Sequence, residues 1–132
     1  MIDKSNEIFT LVANKLREEF EGITVIGESI DIPSKFPTAT IDEISNLPIE
    51  EDSRSINQYA HVRYRVQVFS NATNKRSEAR KIYATIDNVL QQINLKCKSF
   101  STLPEIYNSK VYQITSTYEA IIKEDGFIFR NN

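Results

Sequence analysis

One cysteine, one histidine, three glycines and no tryptophan occur in the 132 residues of this chain, and each shortage removes a class of chemistry. Cys97 has no partner for an internal disulfide, and together with His61 it falls short of the four ligands of a zinc site. Gly22, Gly27 and Gly126 are too scattered to form the run of glycines whose backbone N–H groups cradle a phosphate. Nucleophilic catalysis needs a Ser, Cys or Thr beside a base that a third group orients. His61 is the one candidate base, it falls mid-strand between basic neighbours, and no Gly-x-Ser-x-Gly elbow accompanies it. Cys97 reads as a small, half-buried residue rather than a nucleophile. The expectation is a protein that is not an enzyme, with no catalytic residues, no metal and no cofactor.

Long apolar runs and a lopsided charge are missing as well. No stretch approaches the roughly 20 apolar residues that span a bilayer, and residues 1–6 carry charge where a signal peptide would be apolar. Sixteen basic against eighteen acidic side chains leave a net charge of −2 and a pI near 5.5. No global positive field therefore draws in nucleic acid or anionic lipid. The chain is expected to be soluble and cytosolic when made. What is present is ordinary for a folded domain: 40% hydrophobic residues and 26% charged, enough for one core across 1–132 without staples.

Periodicity sketches the elements. Ile8, Leu11, Val12, Leu16 and Phe20 form one stripe of a helix over 3–21, with Asp3 or Ser5 to cap it and Gly22 to end it. Short strands are predicted at 23–26 and from just after Pro37 to Ile44. The clearest strand is 59–69, where Ala60, Val62, Tyr64, Val66 and Val68 share one face and His61, Arg63, Arg65 and Gln67 the other. A second helix over 75–94 carries Ala79, Ile82, Tyr83, Ile86, Val89, Leu90 and Ile93. Strands at 96–103 and 111–123 follow, and Asp125-Gly126 offers a hairpin into 127–130. The predicted fold is α+β, in the order α-β-β-β-α-β-β with a further short strand at the end. Its mainly antiparallel sheet packs two helices on one face, which buries both stripes.

Two charged features have no structural duty in that scheme. Periodicity fails over about 45–57, which reads as a flexible acidic loop containing Glu50, Glu51, Asp52 and Arg54. Its carboxylates suit a divalent cation only weakly, without the alternate spacing and glycine of a calcium loop. Arg63 and Arg65 on the strand, and Arg76 and Arg80 one turn apart on the helix, are the other feature. Poor aromatic interleaving and the net acidity argue against a nucleic-acid patch. Either these arginines are a solvated face or they meet a protein partner, such as the acidic loop of a neighbouring identical subunit. Whether the four share one surface is open at this level.

Several local phrases are similar to those of the tail-completion, or tail-terminator, proteins of siphophages and prophages of Gram-positive hosts. They are Phe36-Pro37-x-x-x-Ile41, the strand Tyr64-Arg65-Val66-Gln67-Val68-Phe69-Ser70-Asn71 and the helix centre Ala84-Thr85-Ile86-Asp87. To these are added Tyr112-x-Ile114-Thr115-x-x-Tyr118-Glu119-Ala120 and Gly126-Phe127-Ile128-Phe129-Arg130. The resemblance implies a small α/β structural protein of the virion that closes into a ring, a hexamer, on the head-proximal end of the tail tube. Its partners would be further copies of itself, the tail tube protein and the head–tail connector. DNA would pass through the lumen without specific binding, and no membrane would be involved. The acidic loop and the four arginines then become candidates for subunit or lumen contacts. Another phage neck or baseplate role, or a small ligand-binding α+β domain with a site at His61, are the alternatives.

Overall fold

A computed structural model describes residues 2–49, 59–105 and 110–129. The elements are α1 (Ser5–Glu19), β1 (Thr24–Ile26), β2 (Thr38–Ile49), β3 (Tyr59–Ser70), α2 (Lys75–Gln92), β4 (Lys96–Leu103), β5 (Tyr112–Lys123) and β6 (Ile128–Phe129). This is the expected α+β order. The strands form one sheet in the order β1-β2-β3-β5-β4, all antiparallel except the short parallel pair β1–β2. β6 pairs with β5 at Ile121 and Ile122, beyond the end of β4.

Both helices lie on one face because both stripes need the same apolar surface. Ile8, Val12 and Leu16 of α1 and Ile82, Ile86 and Leu90 of α2 are buried in a single cluster. The sheet contributes Ala39 and Ile41, the even-numbered residues of β3 from Ala60 to Val68, and Ile114, Tyr118, Ala120 and Ile122 of β5. Leu11 does not join them. It is 50% exposed and Ala13 is buried in its place, so the α1 stripe is narrower than its spacing suggests.

The ends of the helices are set by hydrogen bonds. Asp3 Oδ1 accepts from the backbone N–H and the hydroxyl of Ser5, although the residue at the N-cap position is Lys4. At the end of α2, Asn94 has a left-handed φ of 70°. Its N–H donates to Gln91 O, and the N–H of Leu95 donates to Leu90 O. These two bonds are the Schellman arrangement, and buried Leu95 packs into the same cluster as Leu90. The hairpin into β6 also forms, but only Gly126 has positive φ (95°). Gly126 N–H donates to Lys123 O, which gives a three-residue loop closed by one left-handed glycine rather than a two-residue primed turn.

Two expectations need correction. Residues 45–49 are not loop: they continue β2, with Asn46 opposite Val62 and Pro48 opposite Ala60. A register shift between Glu43 and Ser45 reverses the alternation there, so the period-two signal cancels across Ile44. Pro48 is tolerated because β1 flanks β2 only at 38–40, and no described strand needs its missing N–H. The rest of the expected acidic loop lies outside the described residues. The second correction concerns the far face of the sheet, which is not uniformly open. The connection from β1 to β2 crosses one end of it, where Ile30 and Phe36 pack on Phe69 and Val111. Gln67 is buried there; its amide donates to Ile30 O while its carbonyl accepts from Ile30 N–H and Thr40 Oγ1.

Candidate functional site

Antiparallel pairing decides which charges meet on the far face. Arg63 lies opposite Glu119, and His61 is one residue pair away on the same side of β3. Glu119 Oε1 is 3.2 Å from Arg63 Nε, while Oε2 is 3.5 Å from His61 Nε2 and 3.7 Å from Lys98 Nζ. One carboxylate thus sits among three nitrogen bases on adjacent strands. Arg65 lies opposite Asp42, which accepts two hydrogen bonds from Ser29, from its N–H at 3.0 Å and its hydroxyl at 2.8 Å. The Arg65 guanidinium reaches the same Ser29 hydroxyl at 3.5 Å. Next to these charges the face turns to hydroxyls, with Ser99 bonded to Thr117 at 2.6 Å.

Arg76 and Arg80 are elsewhere. They belong to α2, on the other side of the sheet, so the four arginines form two surfaces rather than one. With Lys75, Thr102, Pro104, Glu105 and Tyr112 they line a groove of about 620 Å³ between the start of α2 and the end of β4. Arg80 stacks its guanidinium 5.8 Å from the centre of the Phe100 ring, which also meets Tyr83 at 5.1 Å. Phe100 is nevertheless 44% exposed and Leu103 is 53% exposed. Glu78 faces away from the groove, accepting from the Ser70 hydroxyl at 2.7 Å and tying the first turn of α2 to β3. Glu50, Glu51, Asp52 and Arg54 lie outside the described residues.

The residues on which an enzymatic reading would rest are kept apart. Cys97 pairs with Tyr118 on the helix-covered face, whereas His61 points from the far face. The sheet separates thiol from imidazole. Cys97 instead belongs to a polar knot under α2: Tyr118 donates to Asp87 at 2.6 Å, and the Tyr83 hydroxyl lies 2.7 Å from that of Tyr118 and 2.9 Å from that of Ser116. The Cys97 sulfur is 3.4 Å from Ser116 Oγ. Burial, reinforced by the bonds to Asp87 and Tyr83, holds the Tyr118 phenol well above its usual range. Burial also pushes Tyr83 up to about 12. Tyr64, buried and donating to Glu43 at 2.7 Å, is raised in the same way. Among the described residues every buried side-chain polar atom has a partner, so this knot reads as packing. No group of three or more His, Cys, Asp and Glu among them is placed to hold a metal ion.

Glu119, Lys98, Tyr112 and Thr102 did not figure among the sequence candidates. Glu119 and Lys98 join the arginines only through strand register, which no local pattern reveals. A cheaper signal existed for the charge distribution. Residues 2–49 hold nine acids and four bases, while residues 59–105 and 110–129 hold six acids and ten bases. No protein-family model matches the chain, and no curated protein matches it.

Proposed function

We propose that this protein is a phage tail-terminator, or tail-completion, protein that caps the tail tube as a ring and presents the surface on which the head–tail connector docks. The observation that carries this reading is where the similar phrases fall. Phe36-Pro37 leads into β2, Tyr64–Ser70 lies in the central strand β3, Ala84–Asp87 occupies the middle of α2, and Tyr112–Ala120 is most of β5. They are the framework of the core and run in its order, not a short surface motif that unrelated folds could share. The arrangement suits a part that works by shape. Helices cover one face of the sheet, and half of the other face is a polar surface of paired charges and hydroxyls.

The mechanism is geometric. A ring closes when each subunit offers one patch to the next through a repeated head-to-tail contact. One ring face copies the docking surface of the tube protein, and the other refuses further tube subunits, so polymerisation stops. DNA passes through the lumen, and acidic or neutral side chains there avoid trapping phosphate. The acidic segment at Glu50, Glu51 and Asp52, with Arg54, is assigned to lumen or docking contacts.

Negative-stain electron microscopy of the protein with its tail tube protein tests the reading. Tubes capped at one end and fixed in length are expected. Uncapped tubes of unchanged length distribution would overturn it. Neutralising the three acids should impair DNA passage or head joining; if both are unchanged, the segment has no such role.

A further inference from the structure

The two lateral edges of the sheet differ in charge and in shape. At one edge stands β4, eight residues long, with no described strand on its outer side. Natural edge strands are usually blunted by charge, proline or a bulge, because free N–H and C=O groups invite another strand. β4 carries such devices at its ends, with Lys96, Lys98 and a register shift between Cys97 and Ser99 at one end and Pro104 after the other, while Ser99-Phe100-Ser101-Thr102-Leu103 between them has no charge and exposes Phe100 and Leu103. Bases outnumber acids beside it: Lys96 and Lys98 on β4 itself, and Lys75, Arg76 and Arg80 against Glu105 in the groove.

At the opposite edge β1 is only three residues long, and exposed Glu21 and Glu28 flank it. Exposed Asp31, between the cleft residues Ile30 and Ile32, adds to the acidity. Beside β1 is a cleft of about 300 Å³ whose apolar lining comes from Ile26, Ile30, Ile32 and Pro33, with Lys35 its one base. Ile32 is 46% exposed. One edge therefore carries apolar knobs among bases, and the other an apolar cleft among acids.

We propose that these edges are the two halves of one interface, so that the β4–α2 edge of one copy seats on the β1 edge of the next, with Leu103, which shares the far face with Ile30, meeting the Ile30–Ile32 cleft. The occupant is a second copy because the complementary patch is on this same chain, at the far side of the same sheet. Since the halves are different surfaces, the contact is head to tail and leaves each copy with one free half at either end. That is the contact a ring needs, and the inference rests on the ring reading above. A standard interface covers about 800 Å² per partner, roughly a tenth of the 7800 Å² surface of this protein. Opposite charges at the rim make the association sensitive to salt.

The test is the oligomeric state of the purified chain by size-exclusion chromatography with light scattering, across protein concentration and salt. Wild type is expected to assemble at low salt and to dissociate as salt rises. Arg76→Glu with Arg80→Glu, and separately Glu21→Lys with Glu28→Lys, should each be monomeric with an unchanged melting temperature. An equimolar mixture of the two variants should assemble again, because each then offers what the other lacks. Leu103→Asp should prevent assembly without any change at the arginines. A monomer at every concentration, an assembly that either reversal leaves intact, or a mixture that stays monomeric would overturn the pairing. The ring reading fails separately. If a charge-reversed variant still caps tubes, the ring closes through other surfaces; if wild type does not cap them, no terminator role remains, whatever the self-association.

Discussion

The two faces of the sheet are built from the same strands but by different rules. On the helix-covered face every second residue of β3 from Ala60 to Val68 and nearly every second residue of β5 is apolar and buried, and polar atoms of β5 that intrude are bonded to one another and to α2. On the far face the same strands present His61, Arg63, Arg65, Thr115, Thr117 and Glu119. Among the described residues, the end near Gln67 and Phe69 is the part that is covered, by chain from the β1–β2 connection. One face is therefore held by burial, which tolerates little change. The other is held by partly exposed charged pairs and hydroxyls, each of which contributes less to folding than a buried apolar side chain.

The contrast can be broken most sharply at Leu90, which is wholly buried in the helix-covered core and is also the residue to which the α2 terminus bonds. Leu90→Ala should lower unfolding stability by about 2–5 kcal/mol, read as a fall in the denaturation midpoint. A loss below 1 kcal/mol would mean that α2 is not seated as described.

Alkaline titration sharpens the same comparison without a mutation. The raised phenols of Tyr64, Tyr83 and Tyr118 all lie on the helix-covered side. A raised folded pKa means that the folded state keeps its proton while the unfolded chain loses it. The associated stability is complete below pH 10, the ordinary phenol value, and is lost as pH rises through about 12, where Tyr83 titrates. Circular dichroism and phenolate absorbance followed together should show cooperative unfolding in that window. Ionisation of more than three of the six tyrosines at ordinary pH values with the fold intact would contradict the burial of these rings.

The smallest effect is expected on the far face. Glu119→Ala removes the acid among His61, Arg63 and Lys98 and should cost about 1 kcal/mol, less as salt is added. A salt-independent loss as large as that of Leu90→Ala would erase the distinction between the faces.

Much of this architecture was legible because helix and strand periods are local properties. The α2 stripe and the alternation of β3 each place a buried set with no knowledge of the partner element. Where the local pattern was interrupted, the reading failed. The bulge after Glu43 reverses the alternation of β2 and disguised 45–49 as loop, and Leu11 fits the α1 period yet is half exposed. The candidate arginines were correctly placed on their own elements, but their spacing says nothing about which side of the sheet a helix covers. Whether the four share a surface was open in the sequence, and the fold puts them on two. For Glu50, Glu51, Asp52 and Arg54 the sequence remains the whole account.

By itself the sequence determined the class of fold, the number and order of its elements and their buried faces, since these follow from composition and from periods of 3.6 and 2 within single segments. Only the tertiary structure decided strand register, the covering of the far face by the β1–β2 connection and the placing of bases at one sheet edge and acids at the other. These depend on contacts between segments far apart in the chain. A shift of one residue in pairing would exchange the faces of a strand, and only the packed sheet excludes it.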